Sequence, residues 1–244
     1  MNEVRGLRLV IVGTGTGVGK THVGCALLRG WAERHIAALG LKPIETGIAA
    51  AHPLARPDEP AAGSDALKLR QAGGTFHVKH SPYAFPEAVS PHLAARRAGS
   101  RIELRAVRRW VGEHVAPVVV IETAGGLFTP LADGATNLDL ALALRPCTML
   151  LVAPDRLGVL HDVTATLGLA AARGQRITHI VLSAPETTDP STGRNGAELA
   201  RLGIVQPLAI FPRADERDPA TLAAAGATIA ALERYEGVSE NERY

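Results

Sequence analysis

The segment Gly13-Thr14-Gly15-Thr16-Gly17-Val18-Gly19-Lys20-Thr21 constrains this 244-residue chain more than any other. It follows an apolar run, Leu7–Val12, and opens an Ala/Leu-rich stretch with helical spacing, Thr21–Arg34. A strand, a glycine-rich turn and a helix in that order aim successive backbone N–H groups, and the positive end of the helix, at one point. Such an arrangement cradles a phosphate. Lys20 then reaches the β- and γ-phosphates of a nucleotide, and the Thr21 hydroxyl is placed for Mg2+. A dinucleotide fingerprint of the form G-x-G-x-x-G fails in every register of this segment. The P-loop spacing G-x-x-x-x-G-K-[ST] is met except at its first glycine, where Thr14 stands, so that five residues separate Gly13 from Gly19.

The remainder of the chain repeats the alternation that the loop begins. Further apolar runs of strand length occur at Ala38–Leu41, Val118–Ile121, Met149–Val152, His179–Leu182 and Leu208–Phe211. Helical spacing occurs over Glu103–His114, Leu138–Leu144, Val159–Arg173 and Thr221–Arg234. Near-continuous apolar strands alternating with helices predict a parallel sheet covered on both faces. The expected fold is a single-domain α/β P-loop NTPase, Rossmann-like, over residues 1–235, with a polar C-terminal tail at 236–244. Two proline-rich stretches, Ile48–Gly63 and His77–Pro91, read as irregular loops.

Composition excludes several classes of function. A net charge of +2 lacks the basic footprint of a nucleic-acid binder. No apolar run approaches the ~20 residues of a membrane span, and the N-terminus lacks a signal peptide's layout. The two cysteines, Cys25 and Cys147, lie far apart and form no framework. A cytoplasmic protein acting on small molecules is expected, with neither nucleic acid nor membrane as partner.

Only four of the 26 basic residues are lysines: Lys20, Lys42, Lys68 and Lys79. Lys42 opens Lys42-Pro43-Ile44-Glu45-Thr46-Gly47 at the end of the second strand, where an open α/β sheet binds ligands. Taken alone it reads rather as a solvated lysine at a strand end. Asp65, in Ser64-Asp65-Ala66-Leu67, reads either as a first-turn helix acid or as a Mg2+ ligand. Glu122 ends the run Val118–Ile121 and precedes Thr123-Ala124-Gly125-Gly126. An acid at the end of a strand in a P-loop protein is placed to organise Mg2+. Arg101, Arg105, Arg108 and Arg109 share one helix face and read as a solvated basic surface.

Taken in order, GTGTGVGKT at 13–21, KPIETG at 42–47, SDAL at 64–67, SPHLAA at 90–95 and IETAGGLFTPL at 121–131 resemble the dethiobiotin synthetase family. The resemblance implies a roughly seven-stranded P-loop fold and a homodimer. It also implies an ATP- and Mg2+-dependent ligase that closes the ureido ring of 7,8-diaminononanoate with CO2, through a carbamate and a carbamic–phosphoric anhydride. By resemblance, Lys20 and Lys42 are the catalytic pair, and Thr21, Asp65 and Glu122 gather Mg2+. Gly17, Val18, Gly19, His22, Thr123, Ala124 and Gly125 face the nucleotide phosphates. Ser183, Ala184, Pro212, Arg213 and Ala214 face its base and ribose. Thr16 and Thr46 meet the diamine or its carbamate, and Leu157 and Gly158 cap the substrate from the neighbouring subunit.

Four positions depart from the family pattern. Gly17 stands where relatives often have Glu, and His161 where Asn is common. Thr123 replaces the first glycine of an EGAGG pattern, which confines that peptide to ordinary backbone angles. Ser183 replaces an Asn whose amide reads the adenine edge; a hydroxyl is shorter and less discriminating, so weaker selection among nucleotides is expected. The competing readings are a P-loop switch ATPase that controls a protein partner, or a related ligase acting on another small amine. The switch class carries a further lysine at the start of its glycine loop, and Thr14 and Gly15 supply none.

Overall fold

A computed structural model describes residues 6–48, 61–74, 78 and 80–236. Its central sheet contains β1 (Leu7–Gly13), β2 (Ala38–Leu41), β5 (Val118–Glu122), β8 (Thr148–Pro154), β9 (His179–Ser183) and β10 (Ile210–Phe211). The helices are α1 (Lys20–Glu33), α2 (Asp65–Ala72), α3 (Pro91–Arg97), α4 (Leu104–Gly112), α5 (Asn137–Ala143), α6 (Val159–Ala172), α7 (Asn195–Arg201) and α8 (Pro219–Glu236). The six apolar runs of the sequence thus become six strands, all paired in parallel, in the spatial order β10-β9-β8-β1-β5-β2.

Alternation along β1 explains the two layers of helix. Leu7, Leu9 and Ile11 pack on one face with Leu27, Trp31, Leu69 and Ile229, from α1, α2 and α8. Val10 and Val12 face the other side, with Val107, Leu140, Val163 and Leu199, from α4 to α7. Side chains two apart on a strand share a face, so one strand feeds both cores.

Among the described residues the central sheet has six strands, where the family resemblance implied about seven. The short strand β3 (Ile44–Thr46) pairs in parallel with β4 (Tyr83–Phe85) instead. Pro43 separates β3 from β2 and has no N–H to continue a ladder, while its carbonyl accepts from the Tyr83 N–H at 3.3 Å. The expected loop at 77–91 is therefore partly regular: it holds β4 and the start of α3, which has Pro91 at its first turn. A two-stranded antiparallel ribbon, β6 (Pro130–Ala132) with β7 (Ala135–Thr136), completes the strands of the described residues. Most of the loop expected at 48–63, and the tail beyond Glu236, lie outside the described residues.

β1 lies between β5 and β8, and the order of the chain reverses around it. Open α/β sheets bind ligands in the crevice at such a reversal, outside the carboxyl ends of the strands. The register sets what arrives there. Ile11 pairs with Glu122, Gly13 with Val152 and Leu41 with Ile121, so Lys42 emerges beside Glu122.

Gly40 tests how tightly β2 meets the helices that cover it. A Cβ there would lie 2.7 Å from Leu28 Cδ1 and 2.8 Å from the Leu69 carbonyl oxygen. Gly40→Val is expected to destabilise the protein by ~1–3 kcal/mol through overpacking, read as a lowered urea midpoint; an unchanged midpoint would contradict this packing.

Candidate active site

The glycine loop leaves β1 with positive φ at Gly17 (71°) and Gly19 (94°), angles that glycine adopts without strain. Thr14, at the place of the motif's first glycine, keeps ordinary angles, and its N–H donates to the Val152 carbonyl at 3.1 Å. A Cβ on Gly19 would overlap the Ser183 hydroxyl. A Cβ on Gly126 would meet the Thr14 carbonyl oxygen at 3.0 Å. The ends of β5 and β9 are thus packed directly against the loop.

Lys20, the first residue of α1, folds back over the loop, and its Nζ donates to the Gly15 carbonyl at 2.9 Å. It is buried, and burial, reinforced by the Lys42 charge, lowers its pKa to about 8 against the pull of Glu122 and Asp65. Lys42 Nζ donates to Glu122 Oε1 at 2.5 Å, to Asp65 Oδ2 at 3.4 Å and to the Thr123 carbonyl at 3.4 Å. Burial alone would lower its pKa, but the Glu122 and Asp65 carboxylates reverse the direction and keep it charged. The choice between a solvated and an inward Lys42 is therefore settled: it is 5% exposed.

Asp65 is a first-turn acid of α2, and its carboxylate also faces the cavity. It opens α2 behind the N-cap Ser64, whose hydroxyl accepts the Leu67 N–H at 3.1 Å. Its carboxylate also reaches Lys42, and Lys68 at 3.5 Å. Burial would raise its pKa, and Lys42 and Lys68 outweigh that and lower it. Thr21 Oγ1 donates to Glu122 Oε1 at 3.0 Å, while Glu122 Oε2 is buried without a hydrogen-bond partner. No cluster of three or more His, Cys, Asp or Glu metal ligands occurs among the described residues. A cation beside Thr21, Asp65 and Glu122 therefore needs phosphate oxygens and water as its other ligands. Mg2+ in nucleotide sites is held in this way, and the free Glu122 Oε2 is an oxygen available to it.

These groups line one cavity of about 600 Å³. Its wall runs from Thr16 through His22 and continues over Lys42, Thr46, Asp65, Glu122, Ala124, Gly125, Ser183, Ala184 and Arg213. His22 Nε2 lies 2.9 Å from the Pro212 carbonyl oxygen, which ties the segment after β10 to α1. Ala214 lines an adjoining hollow of about 520 Å³ with Arg213 and Cys25. Cys25 is buried, and its thiol is pushed up to about 12 by burial first, which suits a core residue. Thr123 stands behind the site: its hydroxyl donates to the Ile11 carbonyl at 3.0 Å, and the positive φ of the turn falls on Gly125 (79°) instead. Leu157 and Gly158 lie outside this chain's cavity; Leu157 is 75% exposed, and Gly158 begins α6 with φ 96°. His161 is exposed as well.

Sequence reading gave no role to three residues that shape the site. Asn137 Nδ2 donates to the Ala124 and Gly126 carbonyls at 2.6 and 2.7 Å and holds the turn after β5. Glu45 binds the first amides of α2. Arg156, after β8, joins the wall of the cavity. Asn137 lies 13 and 11 residues from its partners and Glu45 lies 20 from Asp65, so no local spacing marks them.

An AAA-domain family description matches residues 7–221. Solved structures of similar fold include the septum site-determining protein MinD of Pyrococcus horikoshii in complex with Mg-ADP. It has TM-score 0.55 and 15% identity, and the match covers 95% of this chain and 97% of that one. Another is the signal recognition particle receptor FtsY of Elizabethkingia anophelis in complex with GDP. Its TM-score is 0.55 with 15% identity, over 92% of this chain and 64% of that one. Together with the loop geometry, these make the protein an α/β P-loop NTPase. More similar in sequence is the ATP-dependent dethiobiotin synthetase of Anaeromyxobacter dehalogenans (strain 2CP-C), 39% identical over 84% of this chain and 89% of its own length. That of Caulobacter sp. (strain K31) is 35% identical over 88% of this chain and 92% of its own. The chain belongs to the dethiobiotin synthetase family.

The Lys42–Glu122 pair is buried, so removing one partner strands the other, at a cost of ~3–5 kcal/mol. Lys42→Met and Glu122→Leu are each expected to be strongly destabilising in urea unfolding. The double variant is expected to fall short of their sum by ~2 kcal/mol or more, within the range measured for contacting groups. Additive losses would contradict the pairing.

Proposed function

We propose that the protein is an ATP-dependent dethiobiotin synthetase, which closes the ureido ring of 7,8-diaminononanoate with CO2 and releases ADP and phosphate. Family membership supplies the reaction. The structural observation that carries it is Lys42, a charged, buried ammonium in the same cavity as the P-loop lysine. Holding a nucleotide accounts for Lys20; a second ammonium suits a second anion, and a carbamate is one.

One substrate amine adds to CO2 and loses a proton, giving a carbamate. A carbamate oxygen attacks the γ-phosphorus of ATP and ADP departs, leaving a carbamic–phosphoric anhydride. The second amine attacks the carbonyl carbon, phosphate leaves and the ring closes with loss of a proton. Transfer of this kind depends on positioning and charge stabilisation. The amides of Gly17, Val18 and Gly19 and the start of α1 hold the phosphates, with His22, Ala124 and Gly125 around them and Thr123 supporting their turn from behind. Lys20 spans the β- and γ-oxygens, and Lys42 stabilises the carbamate and the transferring group. Thr21, Asp65 and Glu122 hold Mg2+, which when bound offsets the charge on the phosphate oxygens.

The remaining assignments follow the family. Thr16 and Thr46 border the diamine, and both line the cavity. Ser183, Ala184, Pro212, Arg213 and Ala214 flank the base and ribose; the buried Ser183 packs against Gly19. The exposed Leu157 and Gly158 reach the neighbouring cleft of a homodimer. No helix among the described residues is long and apolar enough to cross a membrane; a cytoplasmic location is part of this reading.

Phosphate release from ATP, measured with bicarbonate in the presence and absence of 7,8-diaminononanoate, tests the reading. Turnover is expected only with the diamine, yielding dethiobiotin, with CTP and GTP competing against ATP within about ten-fold of its own affinity because a hydroxyl replaces an amide at Ser183. Diamine-independent hydrolysis would indicate a switch ATPase, and strong ATP preference would refute the role given to Ser183.

A further inference from the structure

The first residue of α2 carries the Asp65 carboxylate, and three backbone amides begin that helix with no helical acceptor of their own. Ser64 Oγ takes the third, from Leu67. Glu45, on β3, takes the first two: Oε1 accepts the Asp65 N–H at 2.6 Å and Oε2 accepts the Ala66 N–H at 3.3 Å. Glu45 is itself buried, at 7% exposure. Its charge is directed to a helix terminus, where the positive end of the macrodipole favours a carboxylate. The same residue lies three positions beyond Lys42, on a strand fixed by pairing with Tyr83–Phe85. Glu45 therefore ties α2 to the segment that carries Lys42. Without it, the two amides would lose their acceptors, and the start of α2 would be free to shift or unwind by a residue, taking Asp65 away from Lys42 and Thr21.

We propose that Glu45 is a positioning residue for the cation and phosphate site, holding the Asp65 carboxylate in place through the first two amides of α2. It touches no reacting atom itself. The inference rests on the Mg2+ role given to Asp65 above. Supporting groups behind metal ligands are worth about 10–100-fold in metal affinity, and the effect is expected on Mg2+ dependence rather than on the nucleotide contacts made by the glycine loop.

The test uses the full chain and its Glu45→Ala, Glu45→Gln and Asp65→Asn variants, with ADP binding followed by calorimetry across a Mg2+ series. Hydrogen exchange of the Asp65 and Ala66 amides is measured alongside. Glu45→Ala is expected to raise the Mg2+ concentration for half-maximal enhancement of ADP binding about ten-fold, as Asp65→Asn does. Its ADP affinity without Mg2+ is expected to stay within about two-fold of wild type, and the two amides to exchange faster. Glu45→Gln, whose one side-chain carbonyl can still accept the Asp65 N–H while its NH2 group cannot accept from Ala66, is expected to recover part of the Mg2+ response. Wild-type Mg2+ dependence in Glu45→Ala, or an equal loss of ADP binding with and without Mg2+, would overturn the proposal. Should Glu45→Ala not fold, Glu45→Asp takes its place: its shorter carboxylate is expected to raise the Mg2+ requirement above that of Glu45→Gln, and an unchanged requirement would overturn the proposal. A wild-type chain whose ADP binding ignores Mg2+ would instead count against the functional reading itself.

Discussion

A buried ion pair, Lys42 with Glu122, organises the cavity. Two charges removed from water are tolerable only when each is closely paired and further hydrogen-bonded. Lys42 meets that condition with two carboxylates and a carbonyl. Glu122 meets it with an ammonium and the Thr21 hydroxyl on one oxygen, while its other oxygen stays unpartnered. The pair exists because β2 and β5 run in parallel in a register that brings Leu41 beside Ile121. A slip by one residue would turn Lys42 or Glu122 into the apolar layers, so sheet pairing and active-site chemistry specify each other. Through Glu122 the pair reaches α1, and through Asp65 it reaches α2.

The two lysines of the cavity have opposite electrostatic settings. Lys20 has a backbone carbonyl as its hydrogen-bond partner, and burial has pushed its pKa down to about 8. Lys42 is held charged by carboxylates. An arriving triphosphate would bring Lys20 the counter-charge it lacks, while a second anion at Lys42 must compete with or displace an existing partner. Arginine's planar fork would not fit this space as freely as a compact ammonium, which is consistent with lysines in a chain otherwise rich in arginine. Lys68, without a sequence role, pairs with Asp65 at the rim.

Much of the fold was legible because its strands are buried on both faces. Continuous apolar runs such as Val118–Ile121 can hardly be anything else, and all six became strands of the central sheet. The glycine loop was legible because its conformation demands glycine at positions with positive φ. What escaped were short elements whose partners lie far away in sequence. Ile44–Thr46 and Tyr83–Phe85 are three-residue strands that exist only by pairing with each other. Glu45 and Asn137 escaped for the same reason, since their roles depend on backbone groups brought near by the fold. The resemblance supplied Leu157 and Gly158, whose place outside the cleft of a single chain has meaning only if a second subunit is present.

The structural likeness to MinD and FtsY shows how little the P-loop scaffold decides about its use. In this chain the distinguishing investment lies beyond the loop, in the Lys42 segment and in the helix start that faces it. The proposed reaction requires a carbamate oxygen to become a phosphate oxygen inside that cavity. Turnover of ATP and 7,8-diaminononanoate with 18O-labelled CO2 in unlabelled water, sampled before the label exchanges, measures this directly. One labelled oxygen per released phosphate, and one phosphate per dethiobiotin, is the predicted result. Dethiobiotin formed alongside wholly unlabelled phosphate would contradict the anhydride and the role assigned to Lys42.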